Sequence, residues 1–350
     1  MENKTYVTKE TKNSIRVDYE GKLTLKERFV SKLKTLNTWT KLAITFFRFI
    51  MMLGVSYVIL YPFFARIAGS FMTKEDIVDA TVSLIPKHFT IELYRYIVVE
   101  NHYFAALFNT AMLSILCALI QTLVACLIGY GLAKFKFKGN SLVMGVVVLS
   151  MIIPHRALRL AILQHFAKFD IFTVQAWGYK GPIELIFGKP FQMIDTMWPL
   201  ILLSVFGLAF KNGLYIYLMR QFFKGVPDEL EESAYVDGSG VFRTFFQIII
   251  PLSVPMMITV FLFSFSWQWT DEFYSGLFWT FNSEFYLMSD IYTKIPDSLS
   301  NLSMTFAGWG AYQNIIENTS GMMIIAPLII IYLFCQKYLV QGIERSGLVG

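Results

Sequence analysis

Residues 226–247 read Val226-Pro-Asp-Glu-Leu-Glu-Glu-Ser-Ala-Tyr-Val-Asp-Gly-Ser-Gly-Val-Phe-Arg-Thr-Phe-Phe-Gln247. The segment is too polar for a bilayer interior and too organised for a plain loop. Pro227 and Asp228 predict a helix start, with Glu231 placed to complete a capping box. The helix should stop at Asp237-Gly238, where glycine takes positive φ at low cost. Ser239 is then expected to open a second short helix that carries Phe242, Phe245 and Phe246 to a membrane boundary. Leu230 and Ala234, four apart, share one face, and Glu229 and Glu232 share another. Small Ser233 and Ala234 permit close approach by a partner. A rigid bracket of this kind could pass force from a soluble partner into the flanking helices, although an ordinary interfacial connection would satisfy the same spacing.

What flanks the bracket is apolar. Long hydrophobic runs fall at about residues 43–65, 103–130, 142–163, 198–222, 248–269 and 322–340, each near or above the roughly 20 residues a helix needs to cross a bilayer. A helix satisfies its own backbone in lipid, whereas a transmembrane barrel would alternate polar and apolar residues over segments of about 10. With 55% hydrophobic residues, 16% charged residues and a mean hydropathy of +0.52, the 350-residue chain lacks the polar surface of a soluble protein. The expectation is an all-α, polytopic membrane protein. Its first run follows some forty polar residues with no small-residue cleavage site, so it reads as an anchor, not a signal peptide.

Charge sets the orientation. Lys and Arg number 10 in residues 1–41, 3 in 131–140, 3 in 220–247 and 2 in 337–350, against 4, 3 and 1 in 66–102, 164–197 and 270–321. The positive-inside rule then places both termini in the cytoplasm. The net charge of +5 is explained by these flanks, so no nucleic-acid partner is expected. The basic N-terminal tail could lie on anionic membrane lipid. The expected organisation is a cytoplasmic tail over 1–41, a six-helix permease domain over 42–342 that includes segment 226–247, and a cytoplasmic tail over 343–350.

Chemistry-bearing motifs are scarce. Gly188-Lys189 follows Gly181 by seven positions and precedes Pro190, which is no phosphate-binding loop. Four scattered histidines and no paired acids inside the runs leave neither a catalytic centre nor a metal site, so the catalytic and metal expectation is none. Cys117, Cys126 and Cys335 lie in apolar runs and read as small buried hydrophobes. Arg156 and Arg159, just beyond Pro154, could line a solute path or reach the outer headgroups. Trp267 and Trp269 could stack on a sugar ring, but their position suits interface anchors. An ion-coupled secondary transporter should show more helices, an internal repeat or a helix broken near midplane, and none is evident.

Glu232-Ser-Ala-Tyr-Val-Asp-Gly238, followed by Ile250-Pro-Leu-Ser-Val-Pro255, resembles the cytoplasmic coupling motif of bacterial ABC importer permeases, commonly Glu-Ala-Ala-x-x-x-Gly. Pro227-Asp-Glu-Leu-Glu-Glu232 and Pro251-Leu-Ser-Val-Pro255 are similar to the carbohydrate-uptake group that includes the smaller membrane subunit of the maltose transporter. Tyr61-Pro62, Asn109-Thr110, Tyr130-Gly131-Leu-Ala-Lys134 and the tail around Gln336–Gly342 follow in the family's order, so the resemblance covers about residues 50–350. Ser233 in place of the common alanine, Thr270 after Trp269, and a long external segment 164–197 depart from the pattern.

The resemblance implies a six-helix type I importer permease working by alternating access in the bacterial inner or plasma membrane. Its implied partners are a second homologous permease, two ATPase subunits and an extracytoplasmic solute-binding protein. ATP and Mg2+ would sit on the ATPase, and this chain would bind no cofactor. Glu229, Glu232, Ser233, Ala234, Asp237 and Gly238 would form the coupling contact, and Pro251 would mark the return into the fifth span. The implied solute is a sugar or oligosaccharide, with a polyol phosphate or another noncarbohydrate solute as the alternative. No substrate-binding residue is carried over.

Overall fold

Apolar runs of this length satisfy their backbone in lipid only by closing every N–H and C=O along the helix, and the computed structural model is helical accordingly. It describes residues 7–10, 16–19, 36–170, 181–279 and 284–345. The chain divides into two units, Met1–Arg66 and Ile67–Gly350. In the first, Val7–Glu10 pairs antiparallel with Arg16–Tyr19, Val7 opposite Tyr19, a small hairpin in the tail that an all-α reading does not foresee. The same unit carries most of helix α1, Leu36–Gly69, which continues through Pro62.

The second unit holds α2 (Tyr103–Lys134), α3 (Asn140–Ile152), α4 (Arg159–Ala167), α5 (Trp198–Val205), α6 (Asn212–Lys224), α7 (Glu229–Val236), α8 (Val241–Trp269) and α9 (Trp309–Arg345). Among the described residues, Trp39–Gly69, Tyr103–Lys134, Val241–Trp269 and Trp309–Val340 are long and apolar enough to cross a membrane. The pair Asn140–Ile152 and His155–Ala167, bent by 87° at Pro154, would add a fifth span. The protein is thus a multi-pass helical membrane protein.

Two expected spans are broken. The run 198–222, read as one helix, is α5 and α6 separated by a turn in which Gly207 (φ +70) and Lys211 (φ +67) take left-handed backbone. The bend after α3 is the second. Helix discontinuity, which the sequence reading did not find, is therefore present at both places. Conversely, the fifth span begins earlier than expected. It starts at Val241, with Gly240 as its cap, and runs through a π-helical stretch, Phe245–Ile249, in which the Ile250 N–H reaches back to Phe245. Pro251 follows immediately and has no N–H to give, which favours a local π adjustment. Pro251 stands in the first turn of the α-helical part of the span, Ile250–Trp269.

α2 is the central strut, in contact with α5, α6 and α8. At one end Tyr130, Met219, Phe223, Phe245, Ile249 and Met256 form a buried cluster. Buried Gln121 joins three helices, donating to Ser204 (3.1 Å) and accepting from Ser264 (2.7 Å), a polar link of the kind that holds helices together in lipid. Backbones approach closely where side chains vanish: a Cβ on Gly213 would stand 2.7 Å from Met151 Cγ and 3.0 Å from the Val147 carbonyl. In α9, Pro327 cannot donate to the Met323 carbonyl, and the Tyr103 hydroxyl does so instead at 2.9 Å. Trp269 donates its indole N–H to the next carbonyl, Ile324, at 2.9 Å and is buried, so it is a core residue and not an interface anchor.

The segment 270–321 is likewise folded onto the bundle among its described residues. Tyr274, Leu277 and Phe278 are buried against Leu113, Cys117 and Leu200. Asp271 accepts N–H bonds from Phe273, Tyr274 and Ser275 to close the turn, and burial pushes its carboxyl up to about 6. Glu100 accepts from the Ser298 hydroxyl at 2.6 Å and from its backbone at 3.0 Å, tying this segment to the start of α2.

Candidate functional site

The bracket exists with the boundaries of its first helix nearly as expected, but it starts differently. α7 spans Glu229–Val236, and Asp228, its first flanking residue, has helical backbone and makes no side-chain cap. The capping box with Glu231 is therefore not formed. Both acids are taken by Lys134 at the end of α2: the ammonium lies 2.5 Å from Asp228 and 3.6 Å from Glu231 Oε1, and it donates to the Val226 carbonyl at 2.6 Å. An ion pair to a nearby lysine outcompetes a weak cap because one of its partners is already out of water.

Burial divides this network. The side chains of Lys134 and Glu231 are 7% and 10% exposed, whereas Asp228 is 78% exposed. Glu231 Oε1 has no hydrogen bond, only the longer ion-pair approach, while Oε2 accepts from the Tyr130 hydroxyl at 3.2 Å. Tyr130 in turn lies against Phe223 and Phe245, at ring distances of 5.5 and 4.7 Å. Lys134 holds the Asp228 carboxyl below the usual carboxylate range, chiefly by hydrogen bonding to its ionised form. A short polar helix is thus fastened to three long ones through a single lysine and a single tyrosine.

The far end is closed by backbone geometry. Gly238 (φ +82) donates to Tyr235 O at 3.0 Å and Ser239 donates to Ala234 O at 2.9 Å, a Schellman stop that needs a left-handed residue. The structure brings the expected residues together unevenly. Glu229, Glu232, Ser233, Asp237 and Gly238 are exposed on the bracket, with Leu230, Tyr235, Val236 and Phe242 exposed beside them. Ala234 is buried, facing the protein and not a partner. Pro251 is exposed but belongs to α8. Of the three phenylalanines expected at a boundary, Phe245 is instead buried in the core. Sequence reasoning missed Lys134 and Tyr130 as braces; their signal was a lysine and a tyrosine closing an otherwise apolar helix opposite an acidic segment.

The family described as "Binding-protein-dependent transport system inner membrane component" matches residues 121–345, well over half the chain. The chain belongs to that family, and it is a transport subunit of the inner membrane, not an enzyme. Among its relatives, Protein LplC of Bacillus subtilis (strain 168) is 26% identical over 85% of this chain and 92% of its own length. The polygalacturonan/rhamnogalacturonan transport system permease protein YtcP of the same organism is 25% identical, covering 83% and 92%. The galactooligosaccharides transport system permease protein GanQ, also from that strain, is 26% identical, covering 87% and 95%. Among solved structures, a chain of a bacterial ABC transporter involved in the import of the acidic polysaccharide alginate superposes with a TM-score of 0.60 at 18% identity, covering 85% of this chain and 96% of that one, a likeness of fold.

Proposed function

We propose that this chain is the permease subunit of an ATP-driven importer of a sugar or oligosaccharide, energised by a separate ATPase through segment 226–247. Supporting the carbohydrate reading are relatives named for galactooligosaccharides and for polygalacturonan and rhamnogalacturonan. Supporting the coupling role is the buried Lys134–Glu231 brace, which holds α7 to α2 and, through the packing of Tyr130 on Phe245, to α8. The exposed carboxylates Glu229, Glu232 and Asp237 and the apolar side chains of Val236 and Phe242 form the face the ATPase would grip.

In this reading α5 and α6 together make a sixth span, and both termini lie in the cytoplasm with tails over 1–41 and 343–350 and the permease domain over 42–342. A second homologous permease, two ATPase subunits with ATP and Mg2+, and an extracytoplasmic binding protein complete the complex. ATP-driven approach of the motors draws the two brackets together and opens the bundle outward, and hydrolysis returns it. Such a cycle requires only that two packings of the helices differ by a few kcal/mol and that each partner favours one of them.

The test exploits Gly238. A Cβ there meets nothing within 4 Å, so the objection to a side chain is backbone strain alone, about 1–2 kcal/mol for a left-handed residue. Gly238→Val is expected to leave the membrane bundle intact and to lower stimulation of ATPase by loaded binding protein by about tenfold, since 1.4 kcal/mol is a factor of ten. Gly238→Asn, which tolerates that conformation, should retain most of it. Undiminished stimulation in the valine variant of an assembled complex would remove the bracket from the coupling path.

A further inference from the structure

The turn that joins α2 to α3 reads Lys134-Phe-Lys-Phe-Lys-Gly-Asn140. Phe135, Lys136, Phe137 and Lys138 are all exposed on it. The backbone beneath them is fixed. Gly139 takes left-handed geometry (φ +100), and Asn140 donates its side-chain Nδ2 to the Leu132 carbonyl at 3.2 Å and to the Phe135 carbonyl at 3.0 Å. The Asn140 backbone N–H closes on the Phe137 carbonyl at 3.2 Å. Arg220 of α6 comes to the same Leu132 carbonyl through Nε at 3.4 Å, so a third cation stands beside the turn.

Charge at this place has one sign. α2, α3 and α6, which meet here, contain no Asp or Glu. Asp228 and Glu231 of the bracket reach this end, but Lys134 takes both. Lys136 acts on Asp228 only through space, adding to the lowering of its carboxyl. Among the described residues neither Lys136 nor Lys138 has a carboxylate at ion-pair distance.

The flanking helices give the height of the turn. Leu119, Leu123 and Leu127 follow one exposed face of α2, and Leu142, Val146 and Leu149 follow one exposed face of α3. Leu142 lies three residues past Gly139, about 5 Å along the helix, and the headgroup layer on each side of a bilayer is about 5–8 Å deep. The two lysines therefore stand at headgroup height, and the alternation of Lys and Phe sets two rings at the level that aromatic side chains favour.

We propose that this turn binds the headgroup of an anionic phospholipid, with Lys136 and Lys138 on the phosphate and Phe135 and Phe137 seated between the headgroups and the first acyl carbons. A soluble phosphate would use the lysines and leave both rings in water. An acidic protein surface would have to enter the headgroup layer to meet the lysines. Such binding depends on neither the solute nor the coupling role.

The complex of this chain with its partner subunits is delipidated in neutral detergent and titrated with dioleoylphosphatidylglycerol or with zwitterionic dioleoylphosphatidylcholine, and native mass spectrometry counts the lipid bound to the intact complex. Wild type is expected to bind phosphatidylglycerol at least tenfold more tightly than phosphatidylcholine at its tightest site. A lysine at an anionic membrane surface contributes about fivefold, so Lys136→Gln with Lys138→Gln should weaken phosphatidylglycerol binding about twenty-five-fold. The same pair should leave phosphatidylcholine binding unchanged and melt like wild type, since both ammoniums are exposed. Lys136→Arg with Lys138→Arg should keep wild-type binding. Lys74→Gln with Lys189→Gln removes the same charge from exposed positions elsewhere and should change nothing. Unchanged phosphatidylglycerol binding in the glutamine pair at the turn would overturn the site, and so would an equal loss in the Lys74, Lys189 control, which would reduce the effect to net charge. Loss of the ATPase subunits from the turn variant at unchanged lipid binding would also overturn it, by assigning the lysines to a protein partner.

Discussion

Lys134→Met is expected to abolish most substrate-stimulated ATPase activity while the complex still assembles. The substitution preserves the length and apolar stem of the side chain and removes only the ammonium. Glu231 would then be buried with a single hydrogen bond from Tyr130, and the Val226 carbonyl would lose its donor. Removing one partner of a buried pair costs about 3–5 kcal/mol because the other charge is stranded. The Asp228 leg, being exposed and screened by water, adds little. Of the two legs, the buried one carries the effect. The stranded carboxylate escapes either by taking up a proton or by moving to water, and the second route carries α7 away from α2. Stimulation should fall by at least tenfold and the melting temperature of the purified complex should drop.

The double variant Lys134→Met, Glu231→Gln separates charge from brace. With no unpaired charge left, folding stability should largely return, since neutral replacements of buried pairs are often tolerated, while stimulation should return only in part. A single variant that matches wild type in both melting and stimulation would show that α7 is held by something other than this lysine.

The apolar runs announced most of the helices because the bilayer demands a long apolar segment, and that demand is written locally. Gly238 was legible for the same reason: a stop between Val236 and Ser239 needs left-handed backbone, and glycine is the residue that supplies it. The breaks were not legible. Residues 198–222 keep a nearly continuous hydropathy through Leu208-Ala-Phe210, and Lys211 carries no propensity for the conformation it adopts. The brace was not legible either, because Lys134 and Asp228 lie 94 positions apart and Asp228 is as good a helix cap as an ion-pair partner. Competition between a local and a distant partner is decided by what tertiary packing brings near. Aromatic residues misled for a related reason. Trp269, Tyr274 and Phe278 have the composition of a membrane interface, yet their rings fill gaps between helices and segments whose proximity no local pattern records.

Gly129→Leu is expected to prevent a stable bundle from forming. At Gly129, α2 meets α6 so closely that an added Cβ would stand 2.7 Å from Met219 Cβ and 2.9 Å from the Arg220 backbone nitrogen. The second of these is main chain in mid-helix and cannot swing aside, so the two helices must separate. Met219 belongs to the core that also holds Tyr130 and Phe223, the cluster on which the bracket is mounted. Even Gly129→Ala should cost about 1–3 kcal/mol, the usual range for overpacking, and a leucine should exceed it. Gly131 provides the internal control. It lies two positions further along the same helix, where a Cβ meets nothing within 4 Å, and replacing a helical glycine by alanine gains about 0.8–1.0 kcal/mol of propensity. Gly131→Ala should therefore melt at or above the wild-type temperature, Gly129→Ala several degrees below it, and Gly129→Leu should fail to yield a monodisperse complex. If Gly129→Leu assembled and melted like wild type, the close approach of α2 and α6 would be wrong, and with it the path by which a movement of the bracket reaches the transmembrane helices.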